Sequence, residues 1–190
     1  MSRIIAGDAG SIRLKPAAAS TRPTSDRVKE SLFGQLENLG QLDGASVLDL
    51  FAGTGALGLE ALSRGANRAV LVERDRKAHE ISLENSKSVI SAIQKSRGEA
   101  SVENKKADAA KFLKTNKQSF DLVFLDPPYD LPNQELLGYI EQLSQAVSDQ
   151  GLFVIERSSR TESIQVPVWL REVSTRNYGD TRVAILQKLR

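Results

Sequence analysis

The chain has 190 residues, 40% hydrophobic and 26% charged, which is enough aliphatic material for one packed domain and too short a chain for two. Its formal net charge of +2 excludes a polycation that holds nucleic acid by bulk charge, so any such contact must be local. With no cysteine and one histidine, His79, it has no disulfide framework, no thiolate nucleophile and no multi-histidine metal centre.

Charge is unevenly spread. Residues 1–30 carry six basic and three acidic side chains, residues 31–150 carry 13 and 17, and residues 151–190 carry seven and four. Both ends are basic around an acidic middle. The start, MSRIIAGDAGS, lacks the apolar run of about 7–15 residues that a secretion signal needs, and no stretch approaches the roughly 20 apolar residues of a membrane span. A soluble, cytoplasmic protein is expected.

In chain order, residues 1–20 read as two short strands around Gly7–Gly10, a small N-terminal β-hairpin extension ending in an alanine linker at 17–19. The main domain then runs over 21–190. A helix is predicted from about Asp26 to Leu36, with Thr24 or Ser25 as its N-cap. Short apolar runs follow at 46–51 (SVLDLF), 69–73 (AVLVE), 120–126 (FDLVFLD) and 152–156 (LFVIE). They are nearly continuous rather than alternating, as in parallel strands covered on both faces. Helical spacing fills the gaps at 56–64, at 76–93 and through Leu136, Tyr139, Ile140 and Leu143, and a weaker strand is placed at 101–105 before a helix at 109–114. Strand and helix in alternation predict a doubly wound α/β sheet. Residues 172–175 and 182–189 leave no room for a helix between them, so the chain closes on an antiparallel hairpin.

The first strand opens into Asp49-Leu50-Phe51-Ala52-Gly53-Thr54-Gly55-Ala56-Leu57-Gly58. Glycines let the backbone turn sharply beside a ligand, and the following helix presents unpaired N–H donors, so a nucleotide-like molecule is expected there. A tight strand-to-helix turn without a ligand has the same look, and the spacing of Gly53, Gly55 and Gly58 also fits a dinucleotide fingerprint. Glu73, closing the second strand, suits the two hydroxyls of a ribose in NAD or in S-adenosylmethionine. Asp49 favours the latter, because a carboxylate repels a pyrophosphate and attracts an ammonium or sulfonium. Asp108 either accepts from an adenine amino group or simply caps the helix after it.

The third apolar run ends in Asp126-Pro127-Pro128-Tyr129, at the carboxyl edge where open α/β sheets bind ligands. Two prolines remove two N–H donors and stiffen the chain, leaving the Asp126 carboxylate and the Pro127 carbonyl as fixed acceptors beside the Tyr129 ring. Acceptors next to a stacking ring suit an exocyclic amino group on a base; a rigid turn with a partly buried tyrosine is the plainer alternative.

DLFAGTGALGLEA (49–61) with DPPY (126–129) resembles the amino-group methyltransferases of the class I S-adenosylmethionine type. TRPTSDRVKESLF (21–33), LSRGA (62–66), VERDRKA (72–78), FDLVFLDPPY (120–129) and YGDTRV (178–183) extend the likeness to the bacterial guanine-N2 methyltransferases of small-subunit ribosomal RNA, the RsmD type. The resemblance implies a Rossmann-like fold and transfer of a methyl group from S-adenosylmethionine to one guanine N2 of 16S ribosomal RNA, within an assembled or partly assembled particle and without a metal. It implies a cofactor site of Asp49, Phe51, Gly53, Thr54, Gly55, Glu73, Arg74, Asp108 and Ala109. The tetrapeptide Asp126, Pro127, Pro128 and Tyr129 becomes the catalytic element, and Arg13, Lys15, Arg22 and Thr24 become substrate contacts. Relative to many members the N-terminal hairpin here is poor in arginine, with Arg13 and Lys15 as its basic residues after Asp8. Three rivals stand beside this reading: an adenine-N6 methyltransferase of DNA, a Rossmann-like module that binds nucleotide or RNA without turnover, and an NAD oxidoreductase. Tyr178-Gly179-Asp180 reads as a hairpin turn, and His79 as a solvated residue of a charged helix.

Overall fold

The computed structural model describes residues 2–16 and 25–190. Seven strands form one sheet in the order β3-β2-β1-β4-β5-β7-β6. β1 (Ser46–Asp49), β2 (Arg68–Glu73), β3 (Ser101–Lys106), β4 (Phe120–Leu125) and β5 (Val147–Ser158) run parallel. β7 (Thr181–Lys188) pairs antiparallel with β5, and β6 (Leu170–Tyr178) with β7. The expected hairpin is therefore present and completes a mostly parallel sheet.

Alternate side chains of the strands divide the core. Val47, Leu122, Phe124, Leu152, Val154 and Ile185 point to the layer that holds α1 (Asp26–Asn38), α2 (Ala56–Ser63) and α3 (Arg76–Ser96). Leu48, Val70, Val123, Phe153 and Leu186 point the other way, against α4 (Ala109–Thr115) and α5 (Asn133–Leu143). Cover on both faces explains why the central strands lack polar alternation. Each of the longer helices also has a local start signal: the Ser25 side chain accepts from the Val28 amide to cap α1, and Asp75 accepts from Ala78 to cap α3.

Two features differ from the expectation. β5 begins five residues earlier than its apolar run, because Ser148-Asp149-Gln150-Gly151 is absorbed into the strand as an irregularity. Gln150 takes a φ of 66°, and a Cβ on Gly151 would sit 2.6 Å from Val147 Cγ1, so only glycine allows the strand to continue there. The N-terminal hairpin is reduced to one antiparallel bridge, Arg3 to Arg13, with Ile4 and Ile12, and Ser2 and Leu14, joined by main-chain bonds. Further pairing is blocked because this segment spends its amides on α2 instead. Ile5 and Ala6 donate to the Glu60 carboxylate, Asp8 to the Ser63 carbonyl and Ala9 to the Ser63 hydroxyl. Ile4, Ala9 and Leu14 lie in the same core as α1 and α2. The proposed linker at 17–19 lies outside the described residues. No helix among the described residues is long and apolar enough to cross a membrane.

Candidate active site

The strand order reverses between β1 and β4, and the crevice above such a reversal is where open α/β sheets hold ligands. Asp49 ends β1 there and Asp126 follows β4 directly, so two residues 77 positions apart become neighbours across the crevice.

Asp49 is buried; its Oδ2 accepts from the Gly58 amide at 3.1 Å, the Phe51 amide lies close enough to favour the carboxylate, and Oδ1 makes no hydrogen bond of full geometry. Burial, reinforced by the Glu73 carboxylate, pushes its carboxyl up to about 7 despite the opposing Gly58 and Phe51 amides. A buried carboxylate at a glycine loop, with one oxygen short of donors, fits the positively charged methionine end of S-adenosylmethionine. Gly58 packs so tightly that a Cβ would lie 2.3 Å from Leu71 Cδ2, and Gly55 holds a left-handed φ of 84° at the start of α2. Gly53 donates to Glu73 Oε2 at 2.8 Å, and the Asp75 amide donates to Oε1 at 2.7 Å. Two main-chain amides thus fix the carboxylate at the end of β2.

Two aromatic rings pack together after β1 and on α5. Phe51 meets Tyr139 at 5.9 Å between ring centres, and the Tyr139 hydroxyl donates to Glu135. Burial and that carboxylate push the Tyr139 hydroxyl up to about 12, with Asp108 and Arg74 also in electrostatic reach. Phe51, Arg74 and Asp108 are therefore brought together around Tyr139, a residue legible in sequence only as a core position. Asp108 Oδ1 accepts from Ala110 and Lys111, so the capping role is the one made in this structure, and buried Ala109 opens the helix it caps. Thr54 contributes its carbonyl, which accepts from Asn85 Nδ2 at 3.0 Å.

On the other side of the crevice, Asp126 is half-buried and Tyr129 is 55% exposed, its ring free to meet a partner. Burial, then the carboxylates of Glu156 and Asp49, raise the Asp126 carboxyl well above the usual range, against the pull of Arg157. Pro127 is buried, and the Pro128 carbonyl accepts from Leu131 at 3.0 Å to close the turn.

The substrate candidates are less concentrated. Lys15 pairs with Glu84, and its main chain is clamped by the Asn85 amide, which accepts from Lys15 N at 2.8 Å. Arg13 lies beside Arg3, Ser2 and Asp26 around a depression of about 290 Å³, with Arg3 paired to Asp26 at 3.2 Å. Arg22 and Thr24 lie outside the described residues. Tyr178 does more than turn the hairpin, since its hydroxyl meets Ser31 Oγ of α1 at 2.7 Å. His79 is half-buried with Nδ1 unpartnered, rather than solvated.

Three polar residues were not singled out from sequence. Asn85 joins the N-terminal segment to the glycine loop; Glu60 anchors the same segment to α2 and takes Arg64 at 2.7 Å; Arg157 supports the proline turn. Glu60 had a visible signal, an acid on the buried face with Leu57 and Ala61. The other two had none within their own segments.

The reversed sheet with its glycine loop, terminal acid on β2 and proline turn after β4 defines the Rossmann-like fold of the class I methyltransferases, and the solved structures agree. Escherichia coli yhhF superposes with a TM-score of 0.81 at 32% identity, over 99% of this chain and 98% of that one. Bacillus subtilis YlbH is 34% identical over 187 residues, 98% of each chain, and the "Ribosomal RNA small subunit methyltransferase D" of Escherichia coli K12 is 36% identical over 162 residues, 85% of this chain and 74% of its own. Residues 2–187 match the family described as Conserved hypothetical protein 95, and the chain belongs to that family.

Proposed function

We propose that this protein transfers the methyl group of S-adenosylmethionine to the N2 amino group of one guanine in small-subunit ribosomal RNA. The observation that carries the reading is the pairing, across one crevice, of an under-satisfied Asp49 at the glycine loop with Asp126 beside an exposed Tyr129. The relative named as a small-subunit ribosomal RNA methyltransferase supports the choice of RNA.

S-adenosylmethionine supplies an activated methyl on a sulfonium. Asp49 would hold its cationic end, Glu73 its ribose hydroxyls, and Phe51, Arg74, Asp108 and Ala109 its adenine, with the loop of Gly53, Thr54 and Gly55 beside them. A base amino group is a poor nucleophile because its lone pair is delocalised into the ring. Asp126 and the Pro127 carbonyl accept its two hydrogens, which turns the lone pair out of the ring plane, and Tyr129 holds the base by stacking. Positioning is worth about 7–11 kcal/mol in such a step and a proton acceptor a further factor of about 10²–10⁴. The raised proton affinity of Asp126 suits it to take the proton that nitrogen releases on methylation.

The target guanine must be unpaired or extruded to reach this turn. Arg13, Lys15, Arg22 and Thr24 are the RNA contacts in this reading. Three net positive charges at each end give weak, salt-sensitive hold on free RNA, so an assembled or partly assembled small subunit is the preferred substrate. Labelled methyl transfer to naked RNA and to small subunits at one salt concentration, followed by nucleoside mass analysis, tests both points. N2-methylguanosine formed faster on the particle is expected; N6-methyladenosine, or faster transfer to naked RNA, refutes the corresponding part.

A further inference from the structure

The proline turn after Asp126 is short of internal donors, because Pro127 and Pro128 have no N–H. Besides the Leu131 amide on the Pro128 carbonyl, the carbonyls of the turn are met from the neighbouring strand. Arg157, near the end of β5 and 5% exposed, donates through Nη1 to the Pro128 carbonyl at 3.3 Å and through Nη2 to the Leu131 carbonyl at 2.6 Å and Asn133 Oδ1 at 3.4 Å. These three acceptors span the turn from the tetrapeptide to the first residue of α5. A lysine on the same stem cannot reproduce the fork, since its donors radiate from one nitrogen.

This arrangement is maintained at a cost. In the β5–β7 register Arg157 lies directly opposite Arg182, a like-charge pair, and its Nε is buried without a partner. Burial and Arg182 both lower the proton affinity of Arg157, and the neighbouring Asp126 offsets them. Arg182 is turned aside, donating to the Thr161 carbonyl at 2.7 Å. Both arginines line a cavity of about 270 Å³ between the sheet and residues 163–166, which leaves a path for a small solute to the guanidinium position.

We propose that Arg157 is a positioning residue for the transfer step, its guanidinium fork holding the Pro128–Asn133 turn so that Asp126 and Tyr129 keep their places relative to the incoming amino group. The inference rests on the methyl-transfer reading above. Arg157 contacts none of Asp49, Gly53 or Glu73 through a hydrogen bond, so its loss should fall on kcat rather than on the cofactor KM.

The test uses Arg157→Lys and Arg157→Ala in the full chain. A misplacement of about 1 Å costs about 10²-fold in rate, so kcat should fall by about tenfold in Arg157→Lys and about 10²-fold in Arg157→Ala, with the S-adenosylmethionine KM within about twofold of wild type. Millimolar guanidinium should recover part of the Arg157→Ala rate and leave the wild type unchanged. Amide exchange over residues 129–136, with no turnover required, should quicken in both variants. If Arg157→Ala fails to fold, Arg157→Lys decides. A lysine variant with wild-type kcat, a KM that rises as much as kcat falls, or unchanged exchange in the turn overturns the inference. Absence of any methyl transfer by the wild type refutes the functional reading instead, and exchange then decides whether Arg157 orders the turn.

Discussion

Asp49→Asn separates stability from cofactor binding. The carboxyl is lifted from 3.8 to about 7 in the fold, so between those values the folded protein holds a proton that the unfolded chain has lost. Stability from this group is therefore greatest at low pH and declines as pH rises through that window, by about 4 kcal/mol in all, at about 1.36 kcal/mol per pH unit. Asparagine has no such dependence. It keeps an oxygen for the Gly58 amide and leaves an amide donor unmatched, a constant penalty of about 1–3 kcal/mol. The stability difference between variant and wild type should thus move in the variant's favour by roughly 3 kcal/mol between about pH 4.5 and about pH 7.5, whatever its value at either end. Urea unfolding of both ligand-free proteins across that range measures it. Calorimetry should show the converse in binding, a loss of S-adenosylhomocysteine affinity in Asp49→Asn and a wild-type affinity that strengthens as pH rises through 7. A stability difference independent of pH would refute the burial of an under-satisfied carboxylate, and unchanged affinity would refute its role toward the cofactor.

Asp126→Ala should abolish turnover while cofactor affinity stays within about twofold, whereas Asp126→Asn should retain measurable activity as an acceptor. An asparagine variant as inactive as alanine would contradict that role. Wild-type kcat should decline toward acid with a midpoint above the ordinary carboxylate range, because a protonated Asp126 cannot take the proton, and Asp126→Asn should lack this limb. Tyr129→Phe should be mild and Tyr129→Ala severe in KM for RNA, since stacking on an exposed ring needs the face and not the hydroxyl; equal losses would assign the effect to the hydroxyl. Gly58→Ala should cost about 1–3 kcal/mol in thermal or urea unfolding, because its Cβ meets Leu71 at 2.3 Å beside the Asp49 side chain; wild-type stability would show that Leu71 yields freely.

Much of this architecture was legible because parallel strands covered on both faces leave an apolar signature that few polar residues interrupt. 46–51, 69–73, 120–126 and 152–156 mark the four central strands within a few residues, and Asp49, Glu73 and Asp126 stand at their ends because carboxylates there need partners. What escaped depends on distance along the chain or on glycine geometry. Ser148–Gly151 carries no strand signature because its residues are polar and small, yet Gly151 lets it continue β5. The N-terminal hairpin failed to lengthen because Glu60, more than fifty residues away, captures its amides. Arg157 and Asn85 carry no local pattern: one finds its acceptors 24 to 29 positions upstream, and the other joins Lys15 to Thr54. Asp108 was balanced between two roles in sequence, and its capping bonds are a local feature that the structure makes explicit.

A crystal structure of the complex with S-adenosylhomocysteine and a guanine nucleotide tests the central claim most directly. It should place N2 within hydrogen-bond reach of both the Asp126 carboxylate and the Pro127 carbonyl, with the purine against the Tyr129 face and N2 turned toward the sulfur. The transferred methyl would then bridge a gap of about 3–3.5 Å from nitrogen to carbon. An N2 contacting neither acceptor, or a sulfur too far from it for one methyl to span, would contradict the account.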